Sequence, residues 1–377
     1  MISDENHEQE DHTPPDEKSS FINDVRGKSD FRAIGFSEFK KSDIKNALTN
    51  ALVHAKYEAA CYWSAELVCA GHFDLLWEII IVFFYKYIHV SNPKLCIYLK
   101  MRWIDFNNIM NGYSEMELSA RNNPKIRRNF CQIVCILCGS NKNYSMNLIK
   151  LNHADFDVDE MQEKLCAKEV IYINELFRSE DPRELFMAYN EFVFYLGNTN
   201  LRNACYWMEW IMEFEQKVIF EKNVCKCQRR RFPNIDLDPK YQTDIVWMIW
   251  DAFFTEASEK KNAKLIETIV SACLVLFTNK YTSGCYKKYK CMMYFLVQIL
   301  TDSTMNTMYV QEIISNKSQI EYFVNNISHI YAQIKQNEHS PNTEYLYTNI
   351  KQSNLEQTVA NLEMMNKMGE SYIPRTM

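Results

Sequence analysis

The sequence predicts an all-α protein: two related helical-hairpin subdomains stacked as a short helical array, behind a disordered acidic N-terminal tail. Two observations lead there. Among 377 residues only 8 are Gly and 9 are Pro, too few chain breakers for the many tight turns of a sandwich or barrel. Apolar residues recur at the three-four spacing of one helix face, and no long segment alternates with a period of two.

Residues 1–30 are polar and carry Pro14-Pro15, so they bury too little surface to offset their ordering entropy and read as a disordered tail. Ile44, Ala47, Leu48, Ala51 and Leu52 mark a first helix, which Ser42 or Asp43 can cap. A second runs from about Tyr57 to Gly71. Asp74 can cap a third, whose apolar stripe runs through Leu75, Leu76, Ile79, Ile80, Phe83, Phe84 and Tyr87. Asn92-Pro93 starts a fourth that Gly112 closes, and residues 124–138 form a fifth. The polar stretch 140–159 is read as the boundary between halves. Asp181-Pro182 opens a helix ending at Gly197, and others are expected at 201–221, 242–258, 260–279, 285–301 and 318–336. The domain reading is a 1–30 tail, a 31–150 N-terminal helical subdomain, a 151–340 C-terminal one, and a polar 341–377 tail with a short helix near 355–367.

An internal echo links the halves. Ala60-Cys61-Tyr62-Trp63 precedes Trp77, and Ala204-Cys205-Tyr206-Trp207 precedes Trp247, with the four-residue motifs 144 positions apart. A duplicated hairpin is the structural reading, with Tyr62, Trp63 and Trp77 matching Tyr206, Trp207 and Trp247. The plainer alternative is chance similarity between aromatic-rich helices.

Charge divides unevenly. Residues 1–20 hold seven acids against Lys18, which accounts for the whole net charge of −6 and leaves a neutral body. Thirteen cysteines behind a polar, acidic start suggest reduced thiols in an intracellular compartment. The apolar run 75–90 is broken by Glu78 and Lys86, so no membrane span is expected.

Candidate chemistry is sparse. Cys131, Cys135 and Cys138 have a CxxxCxxC spacing, but on a helix among Ile and Val they read as buried small hydrophobes. Cys225 and Cys227 with Cys285 and Cys291, and Cys69 and His72 with His89 and Cys96, fit zinc knuckles poorly. Asp155, Asp157 and Asp159 begin like a calcium loop, yet Glu160 stands where the turn glycine belongs. No phosphate-cradling glycine loop, nucleophile elbow or zinc-protease motif occurs. The reading is therefore of a non-enzyme with no cofactor and no metal. The most functional-looking feature is a cationic loop, Lys222, Lys226, Arg229, Arg230 and Arg231, which Lys287 and Lys288 can join, with Tyr281, Tyr286 and Tyr289 as stacking platforms for a nucleic acid. The plainer reading is a solvated loop balancing Glu213, Glu215 and Glu221.

The run from Asn46-Ala47-Leu48 through Tyr62-Trp63, Glu66-Leu67, Gly71, Leu76-Trp77-Glu78, Lys86-Tyr87-Ile88-His89, Asn92-Pro93 and Tyr98-Leu99 resembles a family of uncharacterised proteins from nucleocytoplasmic large DNA viruses. Residues 181–186, Ala204-Cys205-Tyr206-Trp207, Gln242-Thr243-Asp244 and Trp247 are similar to its second half. The resemblance implies a viral protein of the host cytoplasm, in virus factories, or of the virion. A shorter likeness, Ala59-Ala60 to Gly71, resembles the helical C-terminal domain of clamp-loader-like recombination ATPases and implies a helical hairpin. The functional expectation is a scaffold or adaptor that binds other viral proteins, with nucleic-acid binding through residues 222–231 as the alternative.

Overall fold

Helix α1 (Lys41–Val53) buries Ile44, Leu48, Ala51 and Leu52, the face that the spacing predicts. The computed structural model to which it belongs describes residues 19–114, 116–220, 225–233, 235, 237–302, 314, 316–340 and 358–364. These residues form helices and no strand; an isolated antiparallel bridge joins Ile34 and Lys40. None of the helices is long and apolar enough to cross a membrane.

Helix α2 (Tyr57–Cys69) ends in a turn that needs a left-handed residue. Gly71 supplies it at φ 73°, while its N–H reaches the Val68 carbonyl and the His72 N–H reaches that of Leu67. Helix α3 (Phe73–Phe83) follows at once. The expected acid caps are not used: neither α1 nor α3 has a side-chain cap, and Asp43 and Asp74 stand in the first turns, where a negative charge suits the helix dipole. Residues 84–88 widen into a π-helical turn, which brings Phe84 and Tyr85 together against Phe295, with ring centroids 5.6 and 5.2 Å away. Helix α4 (Leu95–Met110) precedes α5 (Pro124–Gly139). Here Asn123 caps, accepting from the Lys125 and Ile126 amides at 2.8 and 3.3 Å, with Pro124 in the first turn.

The second half contains α6 (Val158–Lys164), α7 (Phe186–Gly197), α8 (Leu201–Phe220), α9 (Val246–Glu259), α10 (Ala263–Phe277), α11 (Cys285–Lys288) and α12 (Lys290–Thr301). The single helix expected at 285–301 is thus broken at Tyr289, and that at 318–336 is broken at Asn326 into α13 (Lys317–Asn325) and α14 (Ile327–Lys335). Residues 358–364 are helical.

The echo between halves is structural. A shift of 144 positions carries α1–α2 onto α7–α8: the connections are residues 54–56 and 198–200, and Ala55 and Thr199 are left-handed at φ 52° and 54°. Lys56 N donates to the Ala51 carbonyl at 2.9 Å, as Asn200 N does to Tyr195 at 3.1 Å. The buried set 44, 48, 51 and 52 recurs as 188, 192, 195 and 196. Tyr62 and Trp63 meet edge-on at 5.2 Å and 87°, and Tyr206 and Trp207 at 5.2 Å and 85°. The correspondence fades beyond the hairpins. Trp63 is half-exposed with Phe39 on its edge, whereas Trp207 is buried beside Trp210. Trp77 and Trp247, expected to match, sit in different turns of their helices: the second copy replaces the tight Gly71 turn with a long connection. Both rings do pack against the next helix or its end, Trp77 on Trp103 and Trp247 on Phe277 and Tyr281.

Three expected boundaries move. Residues 19–30 are packed rather than tail-like: Ser20 and Ile22 are buried, and Arg127 donates to the Ser20 hydroxyl at 3.0 Å. Residues 1–18 lie outside the described residues. The stretch 140–151 is a strap across both halves, with Asn143 N bonded to the Tyr87 carbonyl and Ile149 N to the Tyr294 hydroxyl. Helices α13 and α14, placed by sequence in the second half, pack on α2 and α5 of the first. Phe323 stacks on Tyr57 at 5.6 Å, and Tyr331 lies under the Arg127 guanidinium at 4.0 Å. Between the halves, α4 packs on α10, and the buried Tyr85 hydroxyl donates to Cys273 Sγ at 3.1 Å.

Candidate functional surfaces

The cationic loop turns inward. Asp181 is buried before Pro182, and a carboxylate out of water must be neutralised and hydrogen-bonded. It accepts from the Gln228 and Arg178 amides, both at 2.8 Å, and pairs through both oxygens with the fork of Arg230. Arg230 also reaches Asp251 and the carbonyls of Gln228 and Leu176. Neither the Arg230 nor the Asp181 side chain is exposed to solvent. Burial works against the Arg230 charge, but Asp181 outweighs it and holds the guanidinium firmly protonated.

Its neighbours divide. Lys226 pairs with Asp244 at 2.5 Å, and Arg229 and Arg231 are exposed; Lys222 lies outside the described residues. Lys287 is exposed, whereas Lys288 reaches Glu78 of the first half at 2.8 Å. Burial opposes ionisation of Glu78, yet the hydrogen bonds and charges of Lys288 and Lys45 keep its carboxyl below the ordinary value. The three expected stacking platforms, Tyr281, Tyr286 and Tyr289, are buried, with the Tyr281 hydroxyl on Asp244 at 3.0 Å. Nearby Glu215 is pushed up to about 7 by burial, with Asp244 adding to the shift. The reading of Arg230 and the three tyrosines as a nucleic-acid surface is therefore corrected: Asp181 and the core claim them.

Two clefts lie elsewhere. A groove of about 600 Å³ between α4, α5 and α13 presents Arg102, Lys125 and Arg128 against one acid, Asp105. A second, of about 400 Å³, is lined by Ile171, Tyr172, Leu176, Val193, Phe194 and Ala252. Asn198, Thr255, Glu256 and Glu259 also line it, and Glu256 is buried and tied to Lys260. Val170, Ile171 and Tyr172 are consecutive exposed apolar residues, with Tyr172 edge-on to Phe194 at 5.1 Å. Compared with known protein families, curated proteins and solved structures, the chain matches none. Its own surfaces are what carry a functional reading. The second cleft had a sequence signal, the run 170–173 inside a polar stretch; the basic groove had only a partial one, Lys125 and Arg128 on α5, because Arg102 comes from α4.

The cysteines regroup. Cys131 and Cys135 project from successive turns of α5 toward Cys61 of α2, and the three buried sulfurs lie within 4.8 Å of one another. Cys138 does not belong to this group. The other two metal candidates do not assemble among the described residues: Cys227 donates to the Asp244 carbonyl, Cys285 accepts from Thr282, and His72 bonds the Ile34 carbonyl. His89 is buried with no partner on either nitrogen among the described residues.

Proposed function

We propose that this chain is a non-enzymatic helical scaffold or adaptor that docks a segment of another protein, in the viral setting implied by the sequence resemblance of both halves. The observation that carries this reading is the exposed run Val170-Ile171-Tyr172 beside a cleft lined by apolar side chains and two glutamates. An aromatic or aliphatic anchor fits such a cleft, and a neighbouring Lys or Arg meets Glu259, with Glu169 and Glu175 flanking the run. The predicted partner is thus a basic segment with an apolar anchor. Peptide display selection on the full chain should enrich such sequences. Replacing Ile171 and Tyr172 by Ser should weaken the selected peptides by roughly 30-fold, the loss of about 2 kcal/mol typical of an anchor. Equal binding by parent and variant refutes the assignment.

A second reading, nucleic-acid binding, is favoured by the basic groove rather than by residues 222–231. Neutralised phosphates release counterions, so oligonucleotide binding there should fall steeply with salt and weaken when Lys125 and Arg128 become Ala.

A further inference from the structure

We propose that Cys61, Cys131 and Cys135 form a three-thiolate site for one soft d10 metal ion, with monovalent copper the ion that fits best. Cys61 Sγ lies 3.8 Å from Cys131 Sγ and 3.5 Å from Cys135 Sγ, and no pair exceeds 4.8 Å. A point equidistant from three sulfurs so placed is at most roughly 2.4 Å from each, close to the ~2.3 Å of a metal–thiolate bond. The three ligands therefore need almost no movement to converge on an ion.

The ligand set selects the ion. Thiolates favour soft metals, and structural zinc wants four ligands in a closed tetrahedron. Among the described residues no fourth Cys, His, Asp or Glu joins the three. All three side chains are buried, which leaves little room for a water to complete a tetrahedron. Three-coordinate monovalent copper has no such need.

Binding of one monovalent ion by three thiols releases up to three protons and leaves a net charge of −2 on the complex. Tyr331 is within electrostatic range of Cys61 and Cys131, and the buried Arg127 covers its ring at 4.0 Å. The Tyr98 hydroxyl, within electrostatic range of Cys135, is buried with no hydrogen-bond partner among the described residues. The duplicated hairpin supplies an internal control. Cys205 stands where Cys61 does but belongs to no such group among the described residues.

The test is anaerobic titration of the reduced full chain with monovalent copper against bicinchoninate, followed by X-ray absorption of the one-equivalent complex. The expected result is one tightly held copper per chain with a shell of three sulfurs at about 2.3 Å. Cys61→Ala, Cys131→Ala and Cys135→Ala should each lose that equivalent, and Cys205→Ala should keep it. Each ligand is also changed to Val, which leaves no cavity, and the parent's absorption spectrum depends on no variant. Full retention of the copper by Cys61→Ala and Cys61→Val, a shell containing nitrogen or oxygen, or recovery of a Cys61–Cys135 disulfide in place of bound copper would each overturn the proposal.

Discussion

Arg230→Ala is the perturbation that separates a surface loop from a structural one. In the parent, both Asp181 oxygens pair with the guanidinium inside the protein, and both side chains are wholly buried. Truncation leaves Asp181 with the Gln228 and Arg178 amides and without its paired guanidinium. Removing one partner of a buried pair costs about 3–5 kcal/mol, because the remaining charge is uncompensated. At ~2 cal/mol/K per residue the chain's unfolding entropy is roughly 0.8 kcal/mol/K, so a loss of about 4 kcal/mol lowers Tm by about 5 °C. Arg229→Ala and Arg231→Ala remove exposed side chains and should stay within about 0.5 kcal/mol of the parent. Urea unfolding of the three single variants, followed by far-ultraviolet circular dichroism, makes the comparison. Should Arg230→Ala match the other two, the buried-pair account fails.

Two further outcomes follow from burial. Burial pulls His89 from the ordinary value of 6.5 down to about 4, so the unfolded chain binds the extra proton first. The stability that neutral His89 confers is complete above pH 6.5 and is lost as pH falls toward 4, by about 3 kcal/mol in all. The stability gap between parent and His89→Leu should shift in the variant's favour by that amount across this window, and a gap independent of pH would contradict the assignment. Trp207→Ala should cost about 3–5 kcal/mol as a fully buried aromatic, while Trp63→Ala, at a partly buried ring, should cost about half as much. Equal losses in chemical denaturation would mean that the two motifs pack alike after all.

The helices were legible because apolar spacing, Gly71, Pro124 and Gly197 act locally, and the hairpins α1–α2 and α7–α8 share a local pattern in different surroundings. The direction of one arginine is another matter. Arg229, Arg230 and Arg231 are equivalent in sequence, and only the carboxylate of Asp181, 49 positions away, decides which of them turns inward. Likewise Cys131 and Cys135 look like ordinary core residues on their own helix, since the third sulfur comes from α2. The break at Tyr289 and the return of α13 and α14 to the first half also depend on distant packing, for which periodicity carries no signal.

That return has a consequence for the order of events during synthesis. The faces of α2 and α5 covered by Phe323 and Tyr331 belong to helices made early, yet their cover is among the last described segments to leave the ribosome. The nascent first half must wait with an apolar face bare while the second is translated, the circumstance in which chains most need a chaperone's hold. Its final closure joins segments far apart in sequence, a slow step by the entropy of the intervening chain. The half that is made first is the half that is finished last.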